Sequence, residues 1–475
     1  MKTLLINPYV PQEVIYGKSA KGLGAVLPPL GIFYIASYMK EVGKGEITLL
    51  DACALKKSPE DILEVISANA FDCVGLSSTT LAYPYAVEIA ALIKERFPKM
   101  TLLLGGPHAQ GASDTILKEN GNIFDYVCYG DGEFAFESLY EHFNGTKDKA
   151  DLKGWKYLEN NQIITASPTA VPENLDVFGH PINVVPPELV PLYHEKAIAY
   201  KQLPMFSLMA SRGCPFQCTF CSTPEKFKNL YQKKVRFHSI DWICEELKIL
   251  SEKYGVKEVI FVDDTFNLDK KRVIEFCERK IRDGNEIVWS CNFEANIVDY
   301  EIMVKMKESG CWAIMVGGES GSDRVLKFIK KGVTAAQLTE VGELANKLGI
   351  CSRVSFILGL PSDTEESIRE TLEFVRKSDF HFPYFQLYVP LPGTIMYEQL
   401  NDYGKVINLD AKNISACQVN YLPHGVSHEL LFNLYKNAHK KTYLRWKFVL
   451  NHLQFIRSFS DLKRYFSGLL SLLNL

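Results

Sequence analysis

Short apolar runs separated by stretches of helical periodicity constrain this chain more than any other feature. In residues 1–150 the runs are 3–7 (TLLIN), 47–51 (ITLLD), 73–78 (CVGLSS), 101–106 (TLLLGG) and 125–130 (DYVCYG). Between them, LGIFYIASYMKEVG and PYAVEIAALIKERF place apolar residues at helical spacing. Strands that are apolar throughout are buried on both faces, and helices between them make the crossovers of a parallel sheet. Residues 1–150 are therefore expected to form a Rossmann-like α/β domain. Several of its strands run straight into glycine, as in LLLGGPH and YVCYGDGE. Ligands bind at the carboxyl ends of such strands, and glycine there lets backbone come close to them.

Residues 151–203 change character. Six prolines fall between Pro168 and Pro191, and YLENNQIIT reads as a hairpin turning at Asn160–Asn161, so this stretch is expected to be a connector. Over 204–425 the alternation resumes with longer helices, and the runs MFSLMAS, EVIFVDD, IVWSCN, WAIMVGG, RVSFILGL and YFQLYVPL supply six strands. Six βα units predict a partial TIM-type barrel with its chemistry at the carboxyl ends of the strands. Asp263, Asp264, Asn292, Gly317, Gly318, Glu319, Gly359 and Pro361 fall there. Residues 426–475 have a helical pattern and form a carboxyl-terminal extension.

Composition narrows the function. The formal net charge is −3, which gives no electrostatic reason to expect nucleic acid. MKTLLINPYVP is too short an apolar run for a signal peptide, and no window reaches the about 18 apolar residues of a membrane span. The expected location is the cytoplasm. Twelve cysteines in a reducing compartment are not a disulfide framework. Cys53, Cys73, Cys128, Cys244, Cys277, Cys311 and Cys351 lie in apolar runs and read as buried small hydrophobes.

The exception is RGCPFQCTFCS, which places Cys214, Cys218 and Cys221 within eight positions directly after the first barrel strand. A structural zinc site needs four ligands and usually a second cysteine pair, which is missing here. Iron–sulfur cubanes are held by thiolates, usually four. Three sulfurs on a compact loop leave one iron open to a small ligand.

Cys214-x-x-x-Cys218-x-x-Cys221 resembles the signature of radical S-adenosylmethionine enzymes. FVDDTF (261–266), VGGES (316–320), FILGLPSDTEES and VPLPGTIMY are similar to the strand-end motifs of that family's six-stranded barrel. LPPLGIFYIASYMK, VGLSSTT, GGPHA and YGDGEFAFESL are similar to the amino-terminal cobalamin-binding domain of its cobalamin-dependent class. The resemblance implies a four-iron four-sulfur cluster on the three cysteines, with the open iron chelating S-adenosylmethionine. Phe220, Asp263, Asp264, Asn292, Gly317, Gly318, Glu319 and Ser355 are its expected S-adenosylmethionine contacts. Among these, the two glycines would let the cofactor approach backbone, Glu319 would bond the ribose hydroxyls, and Asp263 or Asp264 would meet the ammonium. One departure stands out: where many relatives carry an arginine after the third strand, this chain has Glu294.

For cobalamin, the family's Asp-x-His-x-x-Gly loop is absent. The closest string, Asp379-Phe-His381-Phe-Pro-Tyr384, lies in the barrel and reads as structural. The resemblance therefore implies cobalamin held without a histidine lower ligand, by backbone at 77–80, 105–108 and 130–133. The expected contacts are Ser77, Ser78, Thr79, Gly105, Gly106, His108, Gly130 and Glu133. Two readings of the basic, aromatic tail are open: packing over the barrel mouth, which is favoured, or a face toward membrane or a lipid substrate. The implied activity is methylation of an unactivated carbon, or phosphorus, of a small biosynthetic intermediate. Reducing power would come from flavodoxin or ferredoxin. A radical rearrangement or oxidative cyclisation is the enzymatic alternative, and a cofactor-binding sensor or scaffold the non-catalytic one.

Overall fold

The computed structural model describes residues 1–12, 14, 24–195, 199–223, 234–409 and 414–443. Its amino-terminal sheet has the order β2-β1-β3-β4-β5-β6-β7. The first five are β1 (Lys2–Asn7), β2 (Glu46–Asp51), β3 (Cys73–Ser77), β4 (Thr101–Gly105) and β5 (Tyr126–Cys128). They are mutually parallel, as their continuously apolar sequences require. From β1 the chain passes first to β2 on one side and then to β3 on the other. A crevice opens at such a reversal of strand order.

The sheet does not stop at residue 150. β6 (Trp155–Glu159) and β7 (Gln162–Thr165) add an antiparallel hairpin to its β5 edge. Asn160 and Asn161 turn it with φ of 49° and 61°, the left-handed pair a type I′ turn demands. The rest of the proline-rich stretch is ordered in short 3-10 turns whose Leu175, Phe178, Ile182 and Val190 are buried. They join one hydrophobic core that runs from the amino-terminal helix Leu30–Glu41 through the barrel.

The second sheet has six parallel strands in the order β15-β14-β13-β12-β11-β8, the open barrel expected from the pattern. They are β8 (Met205–Leu208), β11 (Glu258–Phe261), β12 (Val288–Phe293), β13 (Cys311–Glu319), β14 (Cys351–Leu358) and β15 (Phe382–Leu387). After β8 the chain forms a two-residue strand, β9 (Ser211–Arg212), paired antiparallel with β10 (Arg236–Phe237). At the opposite end of the barrel, Glu258 accepts hydrogen bonds from Lys201 N, Gln202 N and Trp312 Nε1, which anchors the incoming chain. Burial pushes its carboxyl up to about 7.

The carboxyl-terminal helix His428–Tyr443 does not cover the barrel mouth. It lies on the outer face, where His439 meets Phe385 edge-on and Tyr443 donates to the Pro383 carbonyl at 2.6 Å. Its amino-terminal half reaches the mouth end, with Leu431 against Gly359 and Tyr435 bonded to Cys417. The rest of the predicted tail, 444–475, lies outside the described residues. No helix among those described is long and apolar enough to cross a membrane.

The two halves also meet through glycine. A Cβ on Gly111 would lie 2.6 Å from the Pro392 carbonyl oxygen, and one on Gly393 would lie 2.7 Å from Gly111 Cα. The helix Pro107–Asn120 leaves helical geometry at the next residue, Ala112. Gly111→Ala should therefore lower stability by ~2 kcal/mol, read as a reduced denaturant midpoint, because backbone must retreat to admit the methyl group. The buried Glu258 predicts a pH effect. Its carboxyl titrates near 7 when folded and near 4.5 when unfolded, so the folded state binds the extra proton. Stability should thus fall, by up to ~1.4 kcal/mol per unit, as pH rises between those values. Thermal melts across that range should show the slope, and Glu258→Gln should reduce it.

Candidate active site

The carboxyl ends of the two sheets face one another across a cavity of about 360 Å³. One wall is the switch point of the amino-terminal sheet: Leu5, Gly75, Ser77, Gly105, Gly106 and the 130–133 turn, with Ile32 and Ile35 from the first helix. The other is the barrel mouth: Met209, Ser211, Arg212, Gly213, Thr223, Val262 and Asp264. The loop carrying the cysteines therefore begins inside the cavity wall.

On that loop Gly213 takes φ 99°, and Cys214 Sγ lies 3.6 Å from Thr265 Oγ1. Thr223 N donates to Cys221 Sγ at 3.5 Å. Thr219, between the last two cysteines, donates its N–H to Ile329 O and accepts one from Met396, so the loop is pinned to two barrel elements. Cys218 is buried, which pushes its thiol up to about 12, with Lys331 opposing the shift. Cys221 acts electrostatically on both Cys214 and Cys218. Yet among the described residues no three His, Cys, Asp or Glu side chains converge as a single ion requires. Thiolates are the ligands of iron–sulfur clusters, each bonding a different iron. The donor set fits a four-iron cluster.

The strand-end residues do different jobs. Asp263 is buried and accepts from Ala210 N at 2.8 Å and from the Ser211 hydroxyl. It holds β9 in place and is not offered to the cavity. Its neighbour Asp264 is exposed, lines the cavity and raises the Cys214 thiol by its charge. Asn292 Nδ2 donates to the Asp263 carbonyl at 2.8 Å. Ser355 is bonded to the Tyr384 side chain, and the half-buried Phe220 packs on the hydrophobic core.

Gly317 and Gly318 are needed by this chain's own side chains. A Cβ on Gly317 would meet Glu319 Oε1 at 2.3 Å, and one on Gly318 would meet Val354 Cγ1 at 2.8 Å. On their Cβ side the two glycines thus make room for a carboxylate and for barrel packing. Glu319 itself takes φ 59°, at a register shift of β13 against β14. An L residue held in the left-handed region stores strain, a common mark of functional sites. Burial pushes its carboxyl up to about 7, opposed by Lys331 and reinforced by Glu294. The departure at Glu294 now has a partner: Lys331 Nζ donates to it at 2.7 Å, with both groups almost fully buried. A cation is supplied after all, from the loop between the helices Asp323–Phe328 and Ala335–Leu348.

On the cobalamin-like side, Ser77, Gly105, Gly106, Gly130 and Glu133 line the cavity, whereas Ser78, Thr79 and His108 do not. His108 is turned into the domain, its Nδ1 3.3 Å from Thr80 Oγ1 and its ring 4.3 Å from that of Tyr83. Burial lowers its pKa to about 4. The buried Ser78 bonds through its backbone to Gly105 O and His108 N, and the exposed Thr79 caps Ala82. These three build the turn instead of facing a ligand. Gln110 and Arg212 also line the cavity without a sequence expectation, and so does Asp131, within the 130–133 stretch expected to contact cobalamin through its backbone. Asp131 and Arg212 sit inside the quoted motifs YGDGE and RGCP, so the signal was adjacent.

Comparison with known proteins agrees with this arrangement. A Radical SAM superfamily model matches residues 208–375, and a B12 binding domain model matches 21–140. The chain is 31% identical over 471 residues to an uncharacterized methyltransferase of Pyrococcus horikoshii, covering 99% of this chain and 98% of that one. It is 26% identical to an anaerobic magnesium-protoporphyrin IX monomethyl ester cyclase of Rubrivivax gelatinosus, covering 87% and 72%. Its fold is similar to that of the radical S-adenosylmethionine methyltransferase TsrM from Kitasatospora setae, with TM-score 0.74, 16% identity and 99% coverage of both chains. A two-sheet architecture, three cysteines at the mouth between the sheets and a full-length relative together make the chain a member of the cobalamin-dependent radical S-adenosylmethionine enzymes, whose cofactors are a 4Fe-4S cluster, S-adenosylmethionine and cobalamin.

Proposed function

We propose that the chain is a methyltransferase that alkylates an unactivated carbon, or phosphorus, of a small molecule. The observation that carries this reading is the shared cavity, which brings the switch point of the B12-binding sheet and the start of the cysteine loop to one space. When bound, the cluster with S-adenosylmethionine supplies one-electron chemistry at the substrate, and cobalamin supplies a methyl carrier.

The protein's work is holding and excluding. Cys214, Cys218 and Cys221 would hold the cluster. Asp264 would take the ammonium of S-adenosylmethionine, because its carboxylate lines the cavity beside Cys214. Glu319 would meet the ribose hydroxyls; its carboxylate is otherwise unused by hydrogen bonds among the described residues. Ser77, Gly105, Gly106, Gly130 and Gln110 would take cobalamin. Apolar Leu5, Ile32, Ile35, Met209 and Val262 keep water from the same space. His108 is committed elsewhere, which supports cobalamin without a histidine ligand. None of the twelve cysteines forms a disulfide, in keeping with a reducing cytoplasm, and the electron donor would be of flavodoxin or ferredoxin type.

Anaerobic turnover of reconstituted protein with S-adenosylmethionine, hydroxocobalamin and a strong reductant should yield S-adenosylhomocysteine together with 5′-deoxyadenosine. 5′-Deoxyadenosine alone would instead favour the rearrangement or cyclisation that the cyclase relative suggests. Glu319→Gln should raise the Kd for S-adenosylmethionine by about 10-fold or more, since a charge-assisted hydrogen bond is lost, while iron content stays unchanged. Bound cob(II)alamin should show no nitrogen superhyperfine splitting from the protein in its paramagnetic resonance spectrum. His108→Ala should leave that spectrum as it is; a change would mean that the imidazole reaches cobalt.

A further inference from the structure

The cysteine loop leaves β9 through Arg212, and this arginine is held by the other half of the molecule. Its NH2 donates to Glu133 Oε1 at 2.6 Å, and its NH1 lies 3.5 Å from Asp131 Oδ2. Directly across the β9–β10 pair stands Arg236, whose NH1 donates to the same Asp131 oxygen at 2.7 Å. The guanidinium of Arg212 also lies 4.7 Å from the ring centre of Tyr34, whose hydroxyl donates to Met209 O at 3.3 Å. Tyr34, Asp131 and Glu133 belong to the B12-binding half, and Met209, Arg212 and Arg236 to the barrel. Two cations and two carboxylates thus neutralise each other across the seam, with side-chain exposures of 12% and 1% for the arginines and 9% and 3% for the acids.

Neither half can bury its charges without the other. Two arginines facing one another on adjacent strands repel, and so do two carboxylates in one turn. A buried ion with its partner removed is strongly unfavourable, so this contact has a narrow optimum in distance and angle. Arginine's rigid planar fork sharpens that optimum. Arg212 is two residues from Cys214, and both acids lie in the turn that lines the cavity. The B12-binding turn and the cysteine loop are therefore tied at the point where they must be registered.

We propose that Arg212 is a positioning residue: gripped by Glu133 and Asp131, it sets the separation between the cluster on the cysteine loop and cobalamin in the cavity. This rests on the two-cofactor reading above but not on methyl transfer itself.

The test is the dipolar interaction between cob(II)alamin and the one-electron-reduced cluster in full-length protein, measured by pulsed electron paramagnetic resonance. Wild type should give one narrow separation. Arg212→Gln and Glu133→Gln, compared with wild type at matched iron and cobalamin loading, should broaden or lengthen it. Arg212→Lys, which keeps the charge and loses the fork, should fall between. In the apoprotein, amides 209–213 should exchange with deuterium at least 5-fold faster in each variant. Should Arg212→Gln fail to fold, Glu133→Gln and Arg212→Lys carry the test. A wild-type separation and wild-type exchange in the variants that fold would overturn the proposal. If methyl transfer is the wrong reaction, S-adenosylhomocysteine will be missing from wild type as well, and the separation still decides the role of Arg212.

Discussion

Everything at this site depends on two parallel sheets presenting the same ends to each other. A parallel strand terminates in loops that must turn back into helices, and those loops are where backbone polar groups and glycine are available to a ligand. Here β1 and the loops of β3, β4 and β5 face the loops of β8 and β11 across one cavity. Such an arrangement stays in register only if something resists sliding along the seam. Apolar contact is poorly directional and would tolerate small shifts. The buried Arg212, Arg236, Asp131 and Glu133 group and the Gly111–Gly393 approach supply direction, one through charge and the other through hard-sphere contact.

Around the cysteine loop, polarity is handled by pairing. Glu294 and Lys331 neutralise each other in a nearly dry setting, and Glu319 lies within their field. Asp263 is absorbed by the Ala210 amide and the Ser211 hydroxyl at the start of β9, and its exposed neighbour Asp264 is the one of the two that lines the cavity. The two adjacent acids have therefore been given separate tasks by one pleat of the chain: alternate side chains at a strand end point to opposite sides. The glycines of the GGE turn show the same economy. They make room for a strained glutamate and for barrel packing.

Much of this was legible in the sequence. The five runs of the first sheet and the six of the barrel fall on the observed strands because a strand buried on both faces is apolar along its whole length. The Asn160–Asn161 turn was legible because few residues tolerate left-handed backbone. The three cysteines were legible because their spacing is local. The attachment of the hairpin to the first sheet was not, since an edge strand carries no mark of the neighbour it will choose. Nor was the path of the helix His428–Tyr443, whose apolar stripe specifies burial without saying against which surface.

The sequence by itself determined the element order, the two parallel sheets, the cysteine triad and hence the chemical family, because each is written in residues close together along the chain. Tertiary structure alone decided which polar groups face the cavity. His108 and Asp263 look like ligands in sequence, yet they are turned inward to Thr80 and to Ala210. Lys331 and Arg212 acquire their importance only from Glu294, Glu133 and Asp131, which lie 37, 79 and 81 positions away. The physical reason is that a charge is defined by its surroundings. Burial and partner, which set its state and its task, come from segments that only folding brings together.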